Sequence, residues 1–337
     1  MIREGILTDL VPEVVSDTAS AVAASIEGRS PRRLAWDRFN RDRLAKVGLG
    51  IVAFYVFLAV FAPLITKVLG ISPNTLDRQS LNDYGLPAGK FGGISSKHWL
   101  GVEPSTGRDI LARLIYGARI SLLVGTISTI TTTAIGMTTG MMAGYFRGKV
   151  DTFLSRLGDL IMTFPSLILT IALTRPGTQR LEALGVPEGN PARLTYIILV
   201  MTMFGWVSIF RIVRGQALAL REREFIEAAR ASGATSRHII FRQIMPNLWA
   251  PIIALASMSL PGYVAYEAAL SFLGVGIISP TPSWGIMLQD SVHYYRADPT
   301  YFFLPGFTLF ILVFAFYVIG EGLRDALDPK TDRQQLG

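Results

Sequence analysis

Long apolar runs, each close to the length that a helix needs to cross a bilayer, constrain this chain more than any other feature. About 20 apolar residues suffice for one crossing. Six such runs lie at about 47–66, 120–144, 158–174, 194–213, 248–272 and 301–320. Only 17% of the residues are charged, whereas a soluble domain carries about 25%. The sequence therefore predicts an all-α, polytopic membrane protein with six transmembrane helices.

Lysine and arginine residues predict the orientation of these spans. Most of them fall in the N-terminal arm, in 145–157, in 214–247 and in the C-terminal tail. Cytoplasmic loops carry such an excess of basic residues, so we expect both termini in the cytoplasm and the protein in the cytoplasmic membrane. The same rule accounts for the net charge of +7, so no nucleic-acid partner is expected.

The segments outside the spans differ in composition. Residues 1–30 are rich in alanine, serine and acidic residues, which predicts a disordered arm. Arginines alternate with apolar residues from 29 to 46, which suits either an interfacial helix on the inner leaflet or a merely basic flank. We therefore expect 31–66 to contain an interfacial helix and the first span. Residues 67–118 are expected to form an extracytoplasmic loop with a juxtamembrane segment.

Motifs for catalysis or nucleotide binding are missing from the sequence. The chain has no cysteine, which excludes thiolate chemistry and cysteine-based metal sites. His98, His238 and His293 lie far apart, and each is expected to be a structural or a surface residue. Neither Gly-Lys pair is followed by serine or threonine, as a phosphate-binding loop requires. We expect no catalytic residue, no metal and no cofactor, so any ATPase that drives this protein is another chain.

The 214–247 segment has the signals of two short helices joined by a tight turn. Residues 221–231 favour a helix, and Gly233 is placed to end it in a left-handed conformation. Thr235 or Ser236 can cap a second helix, which is expected to run to Met245 and to end at Pro246.

The first of these short helices is expected to present a contact surface to an ATPase. Ala228 and Ala229 would allow a partner to come close, and Glu227 would supply a charge that orients it. The alternative interpretation is a solvated helical linker, although linkers of this length usually lack such ordered capping signals.

Polar residues inside the predicted spans suggest a translocation path. Ser257, Ser259, Tyr263 and Glu267 lie in the fifth span, and polar groups are wasted against lipid. For Glu267, and for Asp159 in the third span, the alternative is an interfacial residue near a span end, with Asp159 paired to Arg156 or to a backbone amide.

Small residues in the second span predict close helix packing. Gly136, Gly140 and Gly144 are spaced four residues apart among several threonines. This spacing lets two helix backbones approach closely where a partner helix exists. A buried position for this span is therefore favoured over a lipid-facing one.

Several motifs resemble one transporter family. E-A-A-R-A-S-G at 227–233, followed by M-P at 245–246, is similar to the E-A-A…G…L-P signature of ABC importer permeases. Further stretches resemble the peptide/nickel branch of this family, and within it the C-type subunit of dipeptide and oligopeptide transporters. These are H-W-L-G-V (98–102), 107–125, A-G-Y-F-R-G-K-V-D (143–151), F-R-Q-I-M-P-N (241–247), A-L-S-F-L-G-V-G (269–276), P-T-P-S-W-G (280–285) and G-L-R-D-A-L-D-P (322–329).

The resemblance implies a type I ABC importer permease fold, with 119–320 as the core and 321–337 as a cytoplasmic tail. It implies a coupling helix in the 227–233 region, a B-type permease partner, two ABC ATPase subunits and an extracytoplasmic peptide-binding protein. It also implies import of short peptides by alternating access. Nickel chelates, glutathione and sugar-peptide fragments remain alternative cargoes. A membrane enzyme or an ion channel is disfavoured because a catalytic cluster and a filter-like motif are both missing.

Two departures from the family pattern stand out. Met245 occupies a position where leucine is usual. The segment 174–193, expected outside, is longer than the pattern predicts and would alter how a binding protein docks.

Overall fold

The computed structural model describes residues 31–327. The predicted disordered arm, 1–30, and the last part of the predicted tail, 328–337, lie outside the described residues. Ten helices of eight or more residues make up most of the described chain. They are α1 (Pro31–Phe39), α2 (Arg43–Leu69), α3 (Ile110–Phe146), α4 (Gly148–Met162), α5 (Ser166–Ala183), α6 (Asn190–Arg221), α7 (Glu224–Ala231), α8 (Met245–Phe272), α9 (Trp284–Ser291) and α10 (Pro299–Leu327).

The all-α prediction is confirmed. Within residues 31–327, extended pairing is limited to two isolated antiparallel bridges, Leu81 with Pro87 and Val102 with Asp109. Five single helices are long and apolar enough to cross a membrane: α2, α3, α6, the continuous stretch Ser236–Phe272, and α10. The pair α4 and α5 passes the same test together and makes a sixth crossing if it is one span.

The predicted third span, 158–174, is not one straight helix. The chain bends by 84° between α4, which ends at Met162, and α5, which begins at Ser166. Pro165 explains the break, because proline has no N–H to donate and disfavours helical geometry at the preceding residue. A hydropathy window does not detect this bend, since the bent stretch is as apolar as a straight span.

Several spans extend beyond their predicted ends. The second predicted span begins at Ile110 instead of 120, because the Asp109 carboxylate caps α3 by accepting a hydrogen bond from the Ala112 amide at 2.7 Å. The fourth and sixth predicted spans continue to Arg221 and Leu327. The added turns are more polar, so an apolar window ends before the helix does.

The helix predicted before the first span is present as α1, and its place at the membrane interface stays a prediction. Asp42 lies between α1 and α2 and caps α2, accepting hydrogen bonds from the amides of Leu44 at 2.8 Å and Ala45 at 3.1 Å. Phe39 and Ala45 are buried with Ile319 of α10. The start of the described chain is therefore packed on the end of the last helix.

The helix pair α3 and α6 is held together by the predicted small residues. A Cβ at Gly136 would lie 2.7 Å from the Cβ of Ile209, and one at Gly140 would lie 2.8 Å from the Cβ of Val213. Gly144 meets α6 in the same way, one turn further on. Side chains at these positions would push the two helices apart, so the four-residue spacing brings their backbones together.

Residues 71–109, here called the cap, fold over the beginning of α3 and α10. The buried Glu103 carboxylate contacts Arg108 Nε at 2.6 Å and Arg113 Nε at 2.5 Å, and it accepts a hydrogen bond from the Tyr301 hydroxyl at 2.9 Å. His98 Nδ1 lies 2.8 Å from the Asp109 carboxylate. The two arginines share the Glu103 carboxylate, and they also donate hydrogen bonds to the Ser279 hydroxyl and to the Pro73 and Pro280 carbonyls.

Candidate functional site

The loop between α6 and α8, residues 222–244, folds as two helical pieces that are anchored by one buried core. Ile226 of α7 has no exposed surface and packs in a cluster with Ile239, Ile240 and Ile244 from the far side of the loop. Arg147, which follows α3, donates a hydrogen bond from its guanidinium group to the Glu222 carboxylate at 2.5 Å. The coupling loop, as we call 222–244, is therefore anchored on the helix bundle through these isoleucines, while most of its other residues are exposed.

The turn of the coupling loop has the left-handed conformation predicted for Gly233. Its φ is +79°, its amide donates to the Arg230 carbonyl at 2.9 Å, and the Ala234 amide donates to the Ala229 carbonyl at 3.0 Å. These bonds close the end of α7. No atom lies within 4 Å of a Cβ built at 233, so glycine is required here by backbone conformation alone.

The second helical piece begins as predicted but does not end as predicted. The Thr235 hydroxyl accepts a hydrogen bond from the His238 amide at 3.3 Å, which caps the turn Ser236–His238. The chain then forms a π-helix, Ile239–Ile244, and enters α8 without a break.

Pro246 therefore does not terminate this helix, contrary to the prediction. It occupies the first turn of α8, and because the helix continues on both sides of it, the missing N–H of proline removes one backbone bond to the preceding turn. The wider π-helical turn before it joins the two parts, with the Met245 amide donating to the Ile240 carbonyl. The outcome is one long element that runs from Ser236 to Phe272.

The predicted contact residues of the coupling loop differ in exposure. Glu227 and Ala228 are exposed, whereas Ala229 is half-buried against the isoleucine core. Of the two alanines predicted to form a contact surface, Ala228 is the more exposed, because α7 turns Ala229 partly inward; the contact itself stays a prediction. The remaining residues are Ser236 and Pro246, which are exposed, and Met245, which packs partly on the core.

Two cavities lie along α6 and α8. The first has a volume of about 340 Å³ and contains Ser259 and Tyr263 of the predicted path, together with Ser166, Phe204, Ser208 and Tyr266. The second, of about 670 Å³, is closer to the coupling loop and is lined by residues that include Gln216, Asn247, Met258 and Arg324. Both are mainly apolar with a few hydrogen-bonding groups, which suits a ligand-contacting surface.

Tyr263 fixes the shape of the smaller cavity. Its hydroxyl lies directly against Gly205 of α6, at a point where any side chain would collide with it. Ser257 is not among the lining residues of this cavity, and its hydroxyl donates to the Ala254 carbonyl of its own helix at 2.9 Å. The four residues predicted for the path therefore do not share one surface.

Glu267 has no exposed surface and lies away from both cavities. Its carboxylate accepts hydrogen bonds from the hydroxyls of Ser121 at 3.0 Å, Ser271 at 2.9 Å and Ser283 at 3.0 Å. Ser121 lies in α3, Ser271 lies in α8, and Ser283 is the residue that caps α9. In this structure Glu267 joins three elements instead of facing a path.

Asp159 takes a partner that the sequence interpretation did not include. It accepts a hydrogen bond from Arg211 of α6 at 2.9 Å, and both side chains are more than half exposed. As for a metal, the described residues contain no group of three histidine, aspartate or glutamate side chains that is placed to hold one.

Comparisons with known protein families cover most of the chain. Residues 136–333 match the family described as the inner membrane component of binding-protein-dependent transport systems. Residues 30–86 match a family described as the N-terminal transmembrane domain of oligopeptide transport permease C. The two matches include the coupling loop, both cavities, α1 and α2.

Individual relatives align over nearly their whole length. The dipeptide transport system permease protein DppC of Alkalihalophilus pseudofirmus is 38% identical over 301 residues, which cover 89% of this chain and 90% of the relative. The oligopeptide transport system permease protein OppC of Bacillus subtilis is 33% identical over 325 residues, covering 95% and 98%. The glutathione transport system permease protein GsiD of Pectobacterium atrosepticum is 34% identical over 302 residues, covering 90% and 92%.

A solved structure shares the fold. An inward-facing structure of the MetNI methionine ABC transporter matches with a TM-score of 0.51 and 22% sequence identity, covering 64% of this chain and 96% of the matched chain. At this identity the likeness is one of architecture. It agrees with the type I importer permease fold that the motifs predict.

Proposed function

Because the chain belongs to the family of inner membrane components of binding-protein-dependent transport systems, we propose that it is the C-type permease subunit of an ATP-driven importer of short peptides. The observation that carries the proposal is the coupling loop: a short helix with exposed Glu227 and Ala228, closed by Gly233 and anchored on a buried isoleucine core. A chain without a phosphate-binding motif needs such a surface to receive work from a separate ATPase.

The proposal places the coupling loop and both termini in the cytoplasm. The basic residues of 145–157 and 214–247 support this orientation, because positive charge is retained on the cytoplasmic side. The cap then lies outside, where a peptide-binding protein would dock. The assembly contains a B-type permease, two ABC ATPase subunits and this binding protein, all held at the lipid membrane.

The proposed mechanism is alternating access driven by the ATPases. ATP closes the two ATPase subunits, and the coupling loops of both permeases move with them. The helix bundle then changes from inward-open to outward-open, receives cargo from the outer side, and resets after ATP hydrolysis. A loaded binding protein acts by favouring one of these states. The present chain performs no covalent step.

Peptides are the proposed cargo because the relatives are named for dipeptides, oligopeptides and glutathione, itself a tripeptide. The smaller cavity is compatible with this class. Hydroxyl groups of Ser259, Ser208 and Tyr263 lie among apolar walls, and such groups can exchange hydrogen bonds with a passing peptide backbone. Glutathione is the second candidate, supported by identity to the GsiD relatives of 34–35%.

The proposal is tested by reconstitution in liposomes of the complex of this chain, the B-type permease and the two ATPase subunits. Labelled dipeptides, oligopeptides and glutathione are offered together with the purified binding protein, with and without internal ATP. We expect ATP-dependent uptake of peptides that requires the binding protein. Uptake without ATP, or no uptake of any of the three cargoes, would contradict the proposal.

A further inference from the structure

Tyr145, in the last turn of α3, contacts the residue that precedes the coupling loop and two places within the loop. The Arg221 guanidinium, at the end of α6, lies 5.8 Å from the Tyr145 ring centroid. The Arg230 guanidinium, on α7, lies 5.5 Å from the same centroid. The Tyr145 hydroxyl is 3.4 Å from the hydroxyl of Ser236, which follows the Gly233 turn. One tyrosine side chain thus contacts the end of α6, the helix α7 and the segment that follows the Gly233 turn.

The ring is also held firmly on its own side. Tyr145 is 8% exposed and belongs to the core cluster that contains Ile226 and Ile239. Its carbonyl accepts a hydrogen bond from Arg221 Nη1 at 2.6 Å. A buried ring with fixed contacts cannot yield when its neighbours move, because protein interiors are close-packed.

The residue before Tyr145 connects the same point to the membrane-spanning bundle. Gly144 lies against Ala217 of α6, where a Cβ would approach the Ala217 Cβ to 2.6 Å. A displacement of the end of α3 therefore displaces α6 as well. Both helices are long enough to cross the membrane, and α6 lines both cavities.

We propose that Tyr145 is a positioning residue that transmits movement of the coupling loop to α3 and α6. Its ring holds the guanidinium groups of Arg221 and Arg230 by cation–π contact, and its hydroxyl fixes the far side of the Gly233 turn. This inference rests on the proposed function, since it names the place where work from an ATPase enters the helix bundle. A purely structural role would require only an apolar side chain at this position.

The test compares the number of peptides imported per ATP hydrolysed in the reconstituted complex. Tyr145→Leu keeps an apolar side chain but removes both cation–π contacts, and we expect this ratio to fall by roughly fivefold or more. Tyr145→Phe keeps the ring and is expected to retain most of the ratio. Tyr116→Leu is the matched control, because Tyr116 lies on the same helix and has its own guanidinium contact, with Arg119 at 5.7 Å. It is expected to leave the ratio unchanged.

A second variant avoids the buried core in case Tyr145→Leu fails to assemble. Arg230 is exposed, so Arg230→Gln can be made without opening the core, and we expect it to lower the ratio while Arg230→Lys restores part of it. A wild-type ratio in Tyr145→Leu or Arg230→Gln, or an equal loss in Tyr116→Leu, would overturn the inference. These results presuppose that the wild-type complex imports peptides with ATP; if it does not, the proposed function fails and not the role of Tyr145.

Discussion

Gly144 of α3 and Ala217 of α6 lie so close that a Cβ on residue 144 would be 2.6 Å from the Cβ of Ala217. Real Cβ atoms do not approach each other to this distance, so the two helices can pack here only with glycine at position 144. The same relationship recurs at Gly140, where a Cβ would meet Val213 at 2.8 Å. The contact between α3 and α6 therefore depends on a row of small residues.

The first prediction concerns this helix contact. Gly140→Val adds a side chain where none fits, and we expect the free energy of unfolding to fall by about 1–3 kcal/mol, the usual cost of overpacking. The measurement is thermal unfolding of the purified complex in detergent. Gly215→Ala is the control, because position 215 on α6 has open space around it. Equal unfolding temperatures for the two variants would show that the contact is dispensable.

Local patterns in the sequence predicted the features that depend on local physics. Spacing of Gly136, Gly140 and Gly144 identified the packed face of α3, and a glycine after a helix-forming stretch identified the turn at 233. Apolar length identified the spans, although their polar ends were missed. In each case the residues that decide the structure are neighbours in the chain.

Other features depend on residues that only the folded chain brings together. A carboxylate in a span is costly, which favours a place on a path for Glu267, but this cost is met by Ser271 one turn away on the same helix and by Ser121 and Ser283 from other elements. The bend at Pro165 and the π-helix before Pro246 were not predicted. A proline in the sequence indicates that the helix is disturbed, but it does not show whether the chain bends, as at Pro165, or widens by a turn of π-helix, as before Pro246. Tyr145 carried no signal, since its guanidinium partners are 76 and 85 residues away.

The second prediction concerns Glu267. Glu267→Leu leaves three buried serine hydroxyls without their acceptor, and an unsatisfied buried group costs about 1–3 kcal/mol. We expect a clear loss of thermal stability, and a smaller loss for Glu267→Gln, which keeps one acceptor oxygen. Glu188→Leu, at an exposed loop position, is the control. Equal unfolding temperatures for Glu267→Leu and Glu188→Leu would show that the hydrogen bonds between Glu267 and the three serines do not stabilise the fold.

The third prediction concerns pH and the cap. Hydrogen bonds from Lys97 and then His98 lower the pKa of Asp77 to about 2, whereas an aspartate in an unfolded chain titrates near 3.9. Because the folded pKa is the lower one, Asp77 stabilises the fold above about pH 4 and loses this effect as the pH falls towards 2. The difference in unfolding temperature between wild type and Asp77→Asn should therefore narrow over that range. A difference that stays constant or widens would contradict it.

The fourth prediction concerns topology. Single cysteines can be placed in this cysteine-free chain at two exposed positions, Glu188→Cys between α5 and α6 and Arg237→Cys in the coupling loop. An impermeant thiol reagent added to intact cells should label residue 188 and spare residue 237 until the membrane is opened. The reverse pattern would place the coupling loop outside and remove it from reach of a cytoplasmic ATPase.

The central claim is that the coupling loop passes work from an ATPase to the helix bundle. Gly233 has a φ of +79°, and a left-handed conformation costs a residue with a Cβ about 1–2 kcal/mol. Gly233→Val should therefore re-aim the chain from Ser236 onward relative to Glu227 and Ala228. Gly215→Val is the matched control, since Gly215 lies in a regular helix with open space around it.

The most direct measurement follows binding-protein-stimulated ATPase activity and ATP-dependent peptide uptake together in liposomes that contain each variant complex. We expect the Gly233→Val chain to insert in the membrane but to lose most uptake and most stimulation, while Gly215→Val keeps both. Wild-type uptake and wild-type stimulation in the Gly233→Val complex would show that the coupling loop does not pass work to the helix bundle.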